Sequence, residues 1–152
     1  MSSGAAALTL AVLASSGCEA PPAWKLEASG VRVTSVADGD TLTISDSAGS
    51  PTVVRLLGIN APEVAHDGQP AQCGAEAAKK ALTALTKGRR VTLLTDPGSE
   101  RTDRFGRLLA YVEATDAGDV SEQLLRHGLV LAWYPASAAR PSRADNYDAA
   151  QT

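Results

Sequence analysis

The chain has 152 residues, 44% hydrophobic and 20% charged, with a net charge of −3 and a sequence pI near 5.3. That length supports one domain with one modest core, and that hydrophobic content excludes a disordered chain. The acidic balance excludes passive, sequence-independent adhesion to nucleic acid, which needs a basic surface. Two cysteines, Cys18 and Cys73, allow at most one disulfide. His66 and His127 stand alone, the first in a polar loop and the second near a helix end, so no zinc-type cluster is present in the sequence.

The chain opens with an apolar run from Ala5 to Ala14 that is too short to span a membrane and suits the core of an export signal. Small residues then lead to Cys18 and to the Pro-rich Glu19-Ala20-Pro21-Pro22. Two readings of residues 1–18 stand: a lipoprotein signal with Cys18 as the lipidated residue, or an ordinary cleaved signal. Both expect a secreted or cell-envelope protein, held to a membrane only by a lipid anchor if at all. Residues 19–29 read as a linker.

Alternation from Val31 to Ser35, from Thr41 to Ser45 and from Thr52 to Leu57 predicts three antiparallel strands. An Asp38-Gly39-Asp40 turn and a Gly/Ser/Asp-rich segment join them. Ala75, Ala78, Leu82 and Leu85 recur at helical spacing, with Gly88 as the stop. Strands are expected at Arg90 to Thr95 and Leu108 to Glu113, separated by a long polar segment. Asp119, with Glu122 three residues on, forms a capping-box signature for a second helix closed by Gly128. Leu129 to Tyr134 reads as extended. The expected architecture is mainly β with helices, a five-stranded OB-fold barrel with two helices over residues 30–135. Residues 136–152 read as a polar tail, with only the beginning of a C-terminal helix.

Three segments concentrate charge at strand ends beside a glycine. They are Val36 to Leu42, Val54 to Glu63, and Arg101 to Tyr111. Arg55 stands inside an apolar strand pattern, where a guanidinium is costly to bury without an anion. Taken singly the signals are modest: an Asp-Gly-Asp turn is commonly just a turn, and Arg107 has Asp103 and Glu113 as possible surface partners.

In this order, the segments resemble those of the thermonuclease (staphylococcal-nuclease-like) family, over about Val31 to Tyr134. The likeness includes Asp38-Gly39-Asp40-Thr41, the run from Arg55 to Glu63, the Cys73-to-Ala77 helix start, and the Thr102-to-Tyr111 segment. The resemblance implies an OB-fold and a calcium-dependent nuclease, cleaving DNA and/or RNA to leave a 3′-phosphate. By position it implies Asp40, Asn60 and the backbone carbonyl of Ala61 as calcium ligands. It implies Arg55 and Arg107 as catalytic arginines and Glu63 as general base. Asp103, Arg104, Phe105 and Trp133 fall where the family contacts substrate.

Three departures accompany the match. Asn60 stands where the best-known member of the family has aspartate, so calcium affinity is expected to fall. The acidic surface predicts weak steering of substrate. The C-terminal helix looks incomplete. A monomer is expected. The alternative to a nuclease is a non-catalytic OB module that binds single strands or protein, a reading opposed by the joint presence of Arg55, Glu63 and Arg107 and by the scarcity of aromatics, 4%.

Overall fold

A computed structural model describes residues 25–46 and 48–151. The apolar leader and Cys18 lie outside the described residues.

Five strands close the barrel: β1 (Lys25–Val36), β2 (Thr41–Ser45), β3 (Pro51–Leu56), β5 (Arg90–Thr95) and β6 (Leu108–Ala114). The sheet runs β3-β2-β1-β5-β6, and a parallel β3–β6 pairing joins its ends. Closure removes exposed sheet edges. Alternation decides what enters the barrel. Val33, Leu42, Ile44, Val54, Leu56, Val91, Leu93, Ala110 and Val112 are all buried. Arg55 sits between the inward Val54 and Leu56, so its side chain leaves on the opposite face. The strand pattern therefore accommodates the arginine without a charge in the barrel interior.

Between β3 and β5 the chain forms the short β4 (Ile59–Asn60) and the helix α1 (Ala75–Thr86). Ala75, Ala78 and Leu82 bury the predicted stripe, with Thr86 completing it and Leu85 only half-buried. Small residues let α1 approach closely. A Cβ on Gly39 would lie 2.6 Å from the Ala78 Cβ and 2.7 Å from the Ala61 Cβ. Gly39 thus admits the Asp38–Asp40 turn into a space that no side chain could share.

After β6 come β7 (Gly118–Asp119), α2 (Val120–Arg126) and β8 (Leu131–Ala132). The Asp119 carboxylate accepts from the Glu122 N–H at 3.2 Å and caps α2. The Glu122 side chain pairs with Arg126 at 2.6 Å, in place of the return half of the capping box. β8 pairs with β4, Leu131 opposite Asn60. No helix among the described residues is long and apolar enough to cross a membrane.

Both flanks differ from the sequence expectation. β1 begins at Lys25, so five residues of the expected linker belong to that strand, with Lys25, Leu26 and Ala28 opposite β5. Register shifts on either side of Ala28 and a positive φ at Gly30 break the alternation there, which hid the strand. At the other end a third helix, α3 (Ala144–Gln151), packs on α2. Arg143, Ala144 and Tyr147 are buried, so the polar tail belongs to the folded body.

Candidate active site

Strand register assembles the site. β2 sets Thr41 opposite Arg55, and the parallel β3–β6 pairing sets Arg55 beside Leu109. Asp40 thus lies one residue beyond Arg55's partner on one side, and Arg107 lies just before β6 on the other. Residues 40, 55 and 107 meet because three adjacent strands end at the same rim of the barrel.

Asp40 is buried, 4% exposed. Its Oδ2 accepts from the Ala61 N–H at 2.6 Å and sits 3.1 Å from Arg55 Nη2. Its Oδ1 accepts from the Thr41 hydroxyl at 3.0 Å. Burial pushes this carboxyl up from its ordinary 3.8 to about 6. The Arg55 charge and the Ala61 N–H oppose that rise, and the neighbouring Asp38 adds to it.

Arg55 is held on four sides. Nη1 donates to the carbonyls of Leu56 and Ile59, each at 2.9 Å. Nη2 donates to Asn60 Oδ1 at 3.1 Å while facing Asp40. Burial lowers the guanidinium's pKa and the like charge of Arg107 adds to that, while Asp40, Asp38 and Glu63 oppose it. The guanidinium knits the end of β3 to β4 and leaves Nε as its one N–H group without a described protein acceptor.

Arg107 donates through Nε to Asp103 Oδ2 at 2.7 Å, and its Nη1 lies 3.4 Å from the Thr41 hydroxyl. Asp103 Oδ1 accepts from the backbone N–H groups of Phe105 and Arg107, at 2.9 and 3.0 Å. Partial burial raises the Asp103 pKa, but these hydrogen bonds outweigh it and hold the carboxyl below its ordinary value. Asp103 therefore holds the Arg107 guanidinium in place.

A cleft of about 740 Å³ opens over this rim, lined by Arg55, Asn60, Arg104, Phe105, Arg107 and Trp133 among others. Phe105 and Trp133 are 67% and 51% exposed, uncommon for large apolar rings. The Arg104 guanidinium stacks 4.7 Å from the Phe105 ring centroid. Glu63 lies on the loop after β4, exposed and outside the lining of this cleft. Its charge nonetheless acts on Arg55.

Two residues escaped the sequence reading. Thr41 bridges Asp40 and Arg107 through one hydroxyl; its place in the Asp-Gly-Asp-Thr turn was the available signal. Gln72 holds Glu63 from both directions. Its Oε1 accepts from the Glu63 N–H, and its own N–H donates to the Glu63 carbonyl, both at 2.9 Å. A pair nine residues apart across an irregular loop carries no periodic signature.

Among the described residues no three His, Cys, Asp or Glu side chains cluster as a metal site. The available donors are mixed oxygens: the Asp40 carboxylate, the Asn60 amide and neighbouring backbone. Asp40 Oδ2 and Asn60 Oδ1 both lie 3.1 Å from Arg55 Nη2, so two hard oxygens already converge on a positive charge. A buried carboxylate and an amide oxygen beside it are the hard oxygen donors that a divalent cation takes, with water completing its shell.

A family model described as Staphylococcal nuclease homologue matches residues 53–152. The chain belongs to that family. Among curated relatives it is 31% identical over 115 residues to "Endonuclease YhcR" of Bacillus subtilis (strain 168), covering 72% of this chain and 9% of that protein. It is 33% identical over 129 residues to "Probable endonuclease lcl3" of Penicillium rubens, covering 64% of this chain and 43% of the relative. A third, "SPbeta prophage-derived endonuclease YokF" of Bacillus subtilis (strain 168), is 37% identical over 97 residues, covering 64% of this chain and 32% of its own length. The chain thus spans less than half the length of each of these relatives.

Proposed function

We propose that this chain is a metal-dependent nuclease that hydrolyses phosphodiester bonds of DNA or RNA, with calcium as its ion. One observation carries the reading. Two arginines from distant segments converge on a single buried carboxylate, Arg55 by direct contact at 3.1 Å and Arg107 through Thr41. Family membership and the printed names of the relatives support the same reaction class.

Asp40, Asn60 and the Ala61 backbone would hold the ion. When bound, it supplies Lewis-acid stabilisation of charge developing on phosphate oxygens. The amide at Asn60 contributes no negative charge, which suits the weak affinity of extracellular calcium sites, on the order of 10⁻⁴ to 10⁻³ M. Arg107, with its Nη groups largely unspent, donates to nonbridging oxygens of the phosphate. Arg55 contributes its charge and Nε from a fixed position. Glu63 accepts a proton from the attacking water, and Gln72 fixes where that carboxylate starts. Phe105 and Trp133 offer faces on which bases stack. Work outside the cytoplasm is part of the proposal; it rests on the export-type leader in residues 1–18, with lipidation at Cys18 one of its two forms.

The test is cleavage of single-stranded DNA and RNA by the purified chain with calcium, with a chelator, and with Glu63→Gln. Chelation should abolish cleavage and Glu63→Gln should lower kcat on the order of a hundredfold or more. Undiminished cleavage in the chelator removes the metal from the mechanism. Undiminished cleavage by the variant removes Glu63.

A further inference from the structure

The large cleft is not the only recess at the rim. A second, of about 260 Å³, is lined by Asn60, Ala61, Gln72, Gly128, Leu129 and Leu131 among others. Asn60 borders both, so the two recesses meet at the residue that faces Arg55 and Asp40. Their walls are also continuous. β8 pairs with β4, and Leu131 and Trp133 lie two residues apart on one extended run. Leu131 borders the small recess and Trp133 the large one.

The exposed apolar side chains follow the same line. Among the described residues the large hydrophobics left exposed are Val53, Phe105, Leu131 and Trp133. Three of these four border the two recesses, with Leu131 at 64% exposure. Exposed apolar area gathered at a charged rim marks a binding surface. The ligand it fits has apolar faces on both sides of a central anion.

On the nuclease reading, a polynucleotide has that alternation of ring and phosphate. We propose that the small recess is a second nucleotide subsite. It takes the base and part of the sugar on the far side of the scissile phosphate from the Phe105–Trp133 cleft. Its volume falls just under the roughly 300 Å³ at which clefts for drug-sized ligands begin, which suits one base and little more. Leu131 and Leu129 supply the apolar wall, and the Asn60 and Gln72 amides supply polar edges. A strand seated in both recesses crosses the Asp40–Arg55–Arg107 rim with a nucleotide on either side.

The experiment is amide chemical-shift mapping of the full chain carrying Glu63→Gln, so that the probe outlasts the measurement, with a nucleoside 3′,5′-bisphosphate and with a single-stranded trinucleotide, each in the presence of calcium. Leu131→Glu is the variant, at an exposed position of the small recess whose side chain takes no part in holding Asp40, Arg55 or Arg107. Both probes should shift Phe105 and Arg107, and the trinucleotide alone should also shift Gly128 to Leu131. Leu131→Glu should weaken the trinucleotide about tenfold and leave the bisphosphate within twofold. Trinucleotide shifts confined to the Phe105–Trp133 side overturn the subsite alone, as does equal weakening of both probes by the variant. No shift with either probe overturns the nuclease reading and the subsite with it.

Discussion

Asp40 concentrates the electrostatics of this rim, and its titration is measurable. Its carboxyl is raised from 3.8 to about 6, with burial as the main cause. A group raised in the folded state takes up its proton more readily when folded. Its stabilising contribution is therefore fully present below about 3.8 and lost as pH rises through about 6. In a chelator, the unfolding free energy from urea titrations should rise as pH falls from 7 towards 4, by on the order of 2 kcal/mol, and the urea midpoint with it. Below that window the trend should reverse, because Asp96 and Asp103 titrate below their ordinary values and lose their native interactions there. A midpoint that falls steadily from pH 7 contradicts the burial of Asp40 as an anion. Thr41 gives a second test. Thr41→Val keeps the shape and removes the hydroxyl between Asp40 Oδ1 and Arg107. Stability should drop by about 1–2 kcal/mol, as for a lost buried hydrogen bond. The kcat should fall about tenfold through looser placement of Arg107. A variant with unchanged kcat would mean that Asp103 alone aims the guanidinium.

The barrel strands bring the charged groups together, but a loop sets their precision. The segment between β4 and α1 carries Glu63 and has little regular structure. It is pinned by Gln72 to Glu63 in both directions and by the reciprocal backbone pairing of His66 with Gln69. Removing the Gln72 side chain returns the Glu63 N–H to water, since both residues are exposed. Gln72→Ala should therefore cost under about 1 kcal/mol of stability. On the proposed mechanism its effect falls on the rate, because small displacements of a reacting group carry rate penalties of up to about a hundredfold. Steady-state kinetics should show kcat about tenfold lower with KM nearly unchanged. Equal losses in melting temperature and kcat would make Gln72 a stability residue. The elements around this loop were legible because each has a period: α1's stripe at Ala75, Ala78 and Leu82, and the alternation of β2 and β3. The Gln72–Glu63 clasp has none, so it left no trace in the sequence pattern.

At the scale of the molecule, the C-terminal segment closes the structure through polar contacts. The Asp96 carboxylate accepts from the Tyr111 hydroxyl at 2.8 Å and from the Ser142 N–H at 2.7 Å. Arg143, 5% exposed, reaches Glu113 at 2.6 Å and also pairs with Asp119, the cap of α2. The Tyr147 hydroxyl donates to the same Asp119 at 2.8 Å. Sequence reading depends on apolar periodicity, and this anchor is one buried ring among charges, so residues 136–152 read as a tail. The strand order and the charged rim were readable because motif and period agreed there. The anchor also reaches the site. A Cβ on Gly58 would lie 2.9 Å from the Tyr147 ring, so α3 braces the turn that leads from β3 into β4 and Asn60. Arg143→Leu leaves the mostly buried Asp119 side chain and the part-exposed Glu113 without their cation, which costs up to about 3 kcal/mol, the low end for a buried pair because solvent screens Glu113. That is a large part of the roughly 5–15 kcal/mol of a whole domain. Hydrogen exchange below the melting transition should then accelerate in α3 and, through Tyr147, at Ile59 and Asn60, while β1 and β5 stay protected. Faster exchange in α3 with no change at Ile59 and Asn60 would show that the helix caps the barrel without bracing its active rim.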